Sequence, residues 1–181
     1  MPFYLFPLIF NYMAIIHCIT GGQRSGKSSY AQQLALQASS SPHYIATARV
    51  WDAEFEQRIS RHKTDRDHRW TNHEIEIHIS SAPIHNSVAV LDCITLWLTN
   101  IFTDCAYSAD DTLAIAKQEW NTFVEIPAEI FVVTNEIGMG THAETQIGRT
   151  FTDIQGWMNQ YIATHAQTVT CMISGIPLQL K

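Results

Sequence analysis

The chain has 181 residues, enough for one domain with a full core. Hydrophobic residues make up 46% and charged residues 15%, a globular composition on the low-charge side. The net charge of −6 argues against a nucleic-acid-binding surface, which needs clustered Lys and Arg, and the nine histidines alter that balance only at acidic pH.

The chain opens on an apolar stretch, residues 1–10, with no preceding Lys or Arg and no small-residue cleavage site after it. With prolines at 2 and 7 and this short length, no membrane span is expected of it. Met13 is the expected natural start, with residues 1–12 an upstream over-read or a disordered tail, and residues 13–181 a single domain. Residues 14–19 then read as a buried strand. The next segment, Gly21-Gly22-Gln23-Arg24-Ser25-Gly26-Lys27-Ser28, satisfies the phosphate-loop pattern G-x-x-x-x-G-K-[ST] in full. Residues 29–35 read as the following helix. Strand, glycine-rich turn and helix N-terminus together aim backbone N–H groups at phosphate oxygens. Lys27 is placed to reach the β- and γ-phosphates, and the Ser28 hydroxyl to hold Mg²⁺.

Residues 44–47 predict a short strand and residues 52–63 a helix, with Phe55 and Ile59 on one face. Alternation over residues 74–79 predicts a half-exposed strand, and the apolar run 87–91, ending at Asp92, a central parallel strand. Residues 109–124 read as a helix and 130–134 as a buried strand. In residues 144–163 the stripe Ile147, Phe151, Ile154, Met158, Ile162 marks a helix packed on the core. Two short strands, 169–174 and 176–180, close the chain around Gly175 and Pro177. The class is α/β: a P-loop NTPase-type three-layer fold with a mostly parallel central sheet and a short C-terminal hairpin. Cys18, Cys93, Cys105 and Cys171 show no C-x-x-C spacing, so neither a zinc site nor a redox pair is expected. Cys18, Cys93 and Cys171 read as small buried residues, which fits a reducing cytoplasm.

Asp92, at the end of its strand, is placed beside the phosphates, able to bind Mg²⁺ directly or through water; the plain alternative is a strand cap. His62 lies one turn from Arg58 and continues the Phe55–Ile59 stripe, so it reads either as a partly buried helix-end histidine or as a nucleophile. Arg58, Arg61, Lys63 and Arg66 favour the second, since a cationic cluster suits phosphate and keeps an imidazole neutral. Asn135-Glu136 follows a buried strand at the sheet edge where open α/β folds bind ligands; a substrate- or water-positioning role and a turn-capping role stand side by side.

From Met13 onward the chain resembles the adenosylcobinamide kinase / adenosylcobinamide-phosphate guanylyltransferase family of cobalamin biosynthesis. The resemblance rests on the loop with Thr20, on Tyr44-Ile45-Ala46-Thr47-Ala48, on Arg58-Ile59 with His62, and on Trp70 and Glu74. It continues through residues 91–100, residues 133–140, Asn159-Gln160 and residues 174–178. It implies that His62 is the guanylylated nucleophile, next to Arg61 where some relatives have a second histidine. It further implies guanine-nucleotide contacts at Thr47, Ala48, Arg49, Lys63, Thr64, Asp65, Arg66, Glu74 and Asp92, with Arg49 or Lys63 available to the leaving pyrophosphate. Two departures stand out: Arg66-Asp67 where relatives often have Arg-Pro, and Trp157 where they often have arginine. The implied substrates are GTP, ATP, adenosylcobinamide and its phosphate, with Mg²⁺, in a cytoplasmic homo-oligomer, a trimer by resemblance. A P-loop kinase with a structural His62 and a non-catalytic nucleotide-binding module are the competing readings.

Overall fold

The computed structural model describes residues 13–50 and 66–181; residues 1–12 and the expected helix over 52–63 lie outside them. Strand β1 (Ile15–Gly21) leads into α1 (Lys27–Ala38), then β2 (His43–Ala46). After β3 (Thr71–Glu74) and a 3₁₀ turn (Ile79–Ser81) come β4 (Val88–Asp92) and α2 (Ile94–Asp104). Helix α3 (Ala109–Val124), β5 (Glu129–Val133), a second 3₁₀ turn (Ile137–Met139) and α4 (Gln146–His165) follow, and β6 (Thr168–Ile173) and β7 (Ile176–Gln179) end the fold.

The seven strands form one sheet in the order β3-β2-β4-β5-β1-β6-β7. All neighbours are parallel except β6 and β7. Register is fixed by burial on both faces. One face, through Ile16, Cys18, Leu91, Ile130 and Val132, packs on α2, α3 and α4; the other, through Ile19, Val90, Phe131 and Val133, packs on α1. Because successive strand residues alternate faces, a one-residue slip would exchange the two cores. Trp97 and Trp120 anchor the larger core, both fully buried. Trp97 Nε1 donates to the Ile77 carbonyl at 2.7 Å, whereas Trp120 Nε1 has no partner among the described residues. Burial of an indole contributes about 4 kcal/mol or more, against about 1–3 kcal/mol for one unmade hydrogen bond, so the packing term wins.

The strand expected over residues 74–79 is not there. The ladder of β3 ends at Glu74, with one further bond from the Ile75 N–H to the Ala46 carbonyl, because β2 itself stops at Ala46. Beyond that point Ile75 and Ile77 pack against the helical core and Ile79 is fully buried there. The alternation thus records burial against helices rather than a sheet. Helix α2 is an addition to the expected elements. Helix α4 runs from Gln146 to His165 with Thr145 as its N-cap; in its stripe Ile154, Met158 and Ile162 are buried, but Ile147, at the N-terminal end, is exposed. All four cysteines are free; Cys18 and Cys93 are buried, while Cys171, expected to be buried, is half-buried on β6, whose neighbour β7 is exposed throughout.

Candidate active site

The phosphate loop bridges β1 and α1. Gly21 has φ +142°, and a methyl group there would meet the Met172 carbonyl oxygen at 2.5 Å and Ser25 Oγ at 2.9 Å. Gly26, the residue before α1, has φ +95°, in the left-handed region open to glycine. The Gly175 N–H donates to the Ser25 carbonyl at 3.0 Å, so the β6–β7 turn braces the loop from one side. Helix α1 starts at Lys27 with no capping side chain and no acidic residue in its first turn. Its first internal bond is from the Tyr30 N–H to the Gly26 carbonyl, which leaves the preceding N–H groups and the positive dipole end facing the loop.

Lys27 is buried, and its Nζ reaches back to donate to the Gly22 carbonyl at 2.5 Å and Ser25 Oγ at 3.4 Å. Burial lowers its pKa, opposed by nearby Cys93, Asp92 and Cys171. The ammonium is therefore held in a poorly solvated place that a phosphate anion would relieve. Asp92 closes β4. Its Oδ2 accepts a hydrogen bond of 2.6 Å from the Tyr44 hydroxyl. Tyr44 is itself buried, edge-on to Trp70, with the Arg66 guanidinium 3.8 Å above its ring. Burial, and then the Asp92 charge, hold the phenol well above its ordinary pKa, so it remains a donor. The neighbouring Cys93 thiol is pushed up to about 12 by burial and stays protonated.

Thr47 is fully buried, and its hydroxyl both donates to the Cys93 carbonyl at 2.8 Å and accepts from the Cys93 N–H at 2.9 Å. It ties the segment after β2 to the residue after Asp92, and Asn100 Nδ2 adds bonds to the Thr47 and Glu76 carbonyls. Ala48 is half-buried and Glu74 is exposed at the end of β3. The Arg49 guanidinium forks onto both Asp104 carboxylate oxygens at 2.8 and 3.0 Å and donates to Glu76 at 2.6 Å. Those carboxylates raise its pKa further, and the fork fastens the end of α2 to the chain after β2. Arg49 is thus already engaged by acidic side chains. His62, Lys63, Thr64 and Asp65 lie outside the described residues.

Asn135 and Glu136 tie the end of β5 to the loop, to α2 and to α4. The Glu136 N–H donates to the Gly21 carbonyl at 3.2 Å, and its Oε1 accepts from Thr20 Oγ1 at 2.9 Å and Asn159 Nδ2 at 3.0 Å. Asn159 Oδ1 accepts in turn from Thr134 and Gln155, and Asn135 donates to Thr95 Oγ1. Thr20, Tyr44, Thr95 and Asn159 fall in the motifs that carry the family resemblance, but residue type and spacing alone give none of them a site role, and Gln155 carries no sequence signal beyond its place four residues before Asn159.

No group of three or more His, Cys, Asp or Glu gathers as a metal site among the described residues. Ser28 in the first turn of α1 and Asp92 at the end of β4 offer hard oxygen donors, the kind that suits Mg²⁺, which keeps several waters and shares phosphate oxygens.

The family model described as cobinamide kinase / cobinamide phosphate guanyltransferase matches residues 17–180, from β1 to past the end of β7. The chain belongs to this family. The bifunctional adenosylcobalamin biosynthesis protein CobU of Escherichia coli is 36% identical over 179 residues, covering 90% of this chain and 98% of that protein. CobP of Pseudomonas aeruginosa, with the same bifunctional description, is 33% identical over 170 residues, 90% of this chain and 95% of its own. CobU of Salmonella typhimurium is 33% identical over 180 residues, with 90% and 98% covered. The cobinamide kinase / cobinamide phosphate guanyltransferase family is one of enzymes, and its model spans both the phosphate loop and the undescribed segment that includes His62. No helix among the described residues is long and apolar enough to cross a membrane.

Proposed function

We propose that this chain phosphorylates adenosylcobinamide from a nucleoside triphosphate and then transfers GMP from GTP to the product, giving adenosylcobinamide-GDP. The observation that carries the reading is the phosphate loop, with Lys27 buried behind it and an uncapped α1 N-terminus, in a chain whose family is described by these two activities. In the first reaction Lys27 and the α1 N–H groups stabilise charge spread over the transferring γ-phosphoryl group. Ser28 and Asp92 would hold Mg²⁺, which neutralises phosphate charge when bound. Tyr44 orients the Asp92 carboxylate for that task through its 2.6 Å bond.

In the second reaction His62 is the nucleophile. Its neutral imidazole nitrogen bonds to the α-phosphorus of GTP, and the bond from that phosphorus to the bridging oxygen breaks, releasing pyrophosphate. The phosphate of adenosylcobinamide phosphate then displaces the histidine from the GMP phosphorus. Splitting the transfer lets GTP and the corrinoid use the site in turn. Gly21, Gly22, Gln23, Arg24, Ser25, Gly26, Thr47, Ala48, Arg49, Lys63, Thr64, Asp65, Arg66 and Glu74 complete the nucleotide site. We assign residues 13–181 as one catalytic domain of a cytoplasmic homo-oligomer, a trimer on family grounds.

The test is incubation with Mg²⁺ and GTP labelled at the α-phosphorus, followed by denaturation. Label that survives denaturation, is acid-labile and base-stable, and is absent in His62→Ala supports the two-step route. Phosphorylated adenosylcobinamide without covalent label leaves a kinase alone, and neither activity leaves a nucleotide-binding module.

A further inference from the structure

Among the described residues, Glu136 is the one carboxylate tied to the phosphate loop that neither reaction above uses. It sits between the two elements that bind phosphate and metal. The strand order places β5 between β4, which ends at Asp92, and β1, which ends in the loop. Glu136 leaves β5 three residues after Val133 and is tied by its own N–H to the Gly21 carbonyl. Its side chain is equally constrained. Thr20 and Asn159 both donate to Oε1, and Asn159 is in turn fixed by Thr134 and Gln155, so every polar group of the Asn159 amide is satisfied. Oε2 has no hydrogen-bond partner among the described residues.

A glutamine at this position would accept the same two hydrogen bonds. A carboxylate adds negative charge, which a bound triphosphate repels, and a capacity to take a proton. A purely structural role accounts for the first oxygen and gives no reason for the charge. We infer that Glu136 is the general base of the phosphoryl-transfer step, with Oε2 accepting the proton of the acceptor alcohol. This rests on the kinase reading proposed above. The alcohol oxygen bonds to the γ-phosphorus, and the bond from that phosphorus to the β–γ bridging oxygen breaks. The electron pair leaves on the nucleoside diphosphate, and the hydroxyl proton moves to Oε2. Nothing in this step involves the α-phosphorus, so the formation of a guanylyl-histidine needs no Glu136.

That separation supplies the experiment. Glu136→Gln keeps the length and both Oε1 bonds. With the full chain, phosphate transfer from γ-labelled nucleotide to adenosylcobinamide should fall about 10²–10³-fold in kcat. KM for the nucleotide should stay within about twofold, as should covalent labelling from GTP labelled at the α-phosphorus. A kcat within about fivefold of wild type overturns the inference, as does a proportional fall in all three readouts, which marks a structural residue. Should the glutamine variant fail to fold, Glu136→Asp keeps the charge but withdraws it by one methylene. A loss of about tenfold or more in phosphoryl transfer with labelling intact supports the base, and unchanged transfer overturns it. A wild-type chain that phosphorylates no cobinamide overturns the kinase reading itself, whatever the Glu136 variants do.

Discussion

The Tyr44 hydroxyl and the Asp92 carboxylate are joined at 2.6 Å across neighbouring strands. Asp92 thus presents one oxygen to a buried donor and keeps the other for the site. Tyr44→Phe removes that donor without changing the ring that Arg66 and Trp70 contact. Stability should fall by about 1.5–3 kcal/mol, the worth of a hydrogen bond to a charged group. The half-saturating Mg²⁺ concentration for phosphoryl transfer should rise several-fold. Denaturant unfolding and a Mg²⁺ titration check the two halves separately.

Lys27 provides a pH signature. Burial depresses its pKa in the folded chain below the usual 10.5. Between those two values the unfolded chain holds more protons than the folded one, so stability rises with pH in that window. Below the window the cost of the buried cation is present in full. Phosphate favours the ammonium, so nucleotide binding raises the Lys27 pKa and takes up a proton in the same window. Affinity should therefore weaken as pH climbs through the depressed value. Calorimetric titration in two buffers of different ionisation enthalpy detects the proton, and Lys27→Ala should abolish both its uptake and phosphoryl transfer.

The loop glycines should rank by geometry. Gly21→Ala drives a methyl group against the Met172 carbonyl at a positive φ and should cost about 2–4 kcal/mol. Gly26→Ala has room, 3.4 Å to Gly175, but its φ of +95° strains any side chain, so a loss of about 1–2 kcal/mol is expected. Gly22→Ala meets nothing within 4 Å and should be close to neutral. Urea midpoints for the three variants test that order.

Thr47→Val is nearly isosteric and takes the partner of the Cys93 N–H, while the Cys93 carbonyl keeps the Trp97 N–H at 3.1 Å. One buried donor is left unpaired, at a cost of about 1–3 kcal/mol. The urea midpoint should drop with the slope unchanged. Nucleotide affinity should fall with it, because Cys93 adjoins Asp92.

Local patterns made part of this molecule legible. The loop, its strand and its helix follow from glycine spacing and one apolar run, and the helix read over 109–124 has those bounds as α3, where Ser108 caps it and Asp110 and Asp111 fill its first turn. Helix α2 was hidden because polar residues interrupt its apolar face, and they are used internally: Asn100 is fully buried and reaches two carbonyls. The same holds for Asn159, whose role depends on β1 and β5 arriving beside α4. Periodicity reports which face is buried, not which element buries it, and that is why residues 74–79 read as a strand.

The bond from Gly175 to Ser25 has a consequence for the order in which the protein becomes competent. Ser25 is synthesised some 150 residues before Gly175, and the space that forces a glycine at position 21 is bounded by the Met172 carbonyl. A growing chain can make the loop sequence early, yet its final shape waits for β6 and the turn after it. Triphosphate binding on the ribosome should therefore appear late and abruptly, once residues 168–175 have cleared the exit tunnel, rather than when the loop itself emerges.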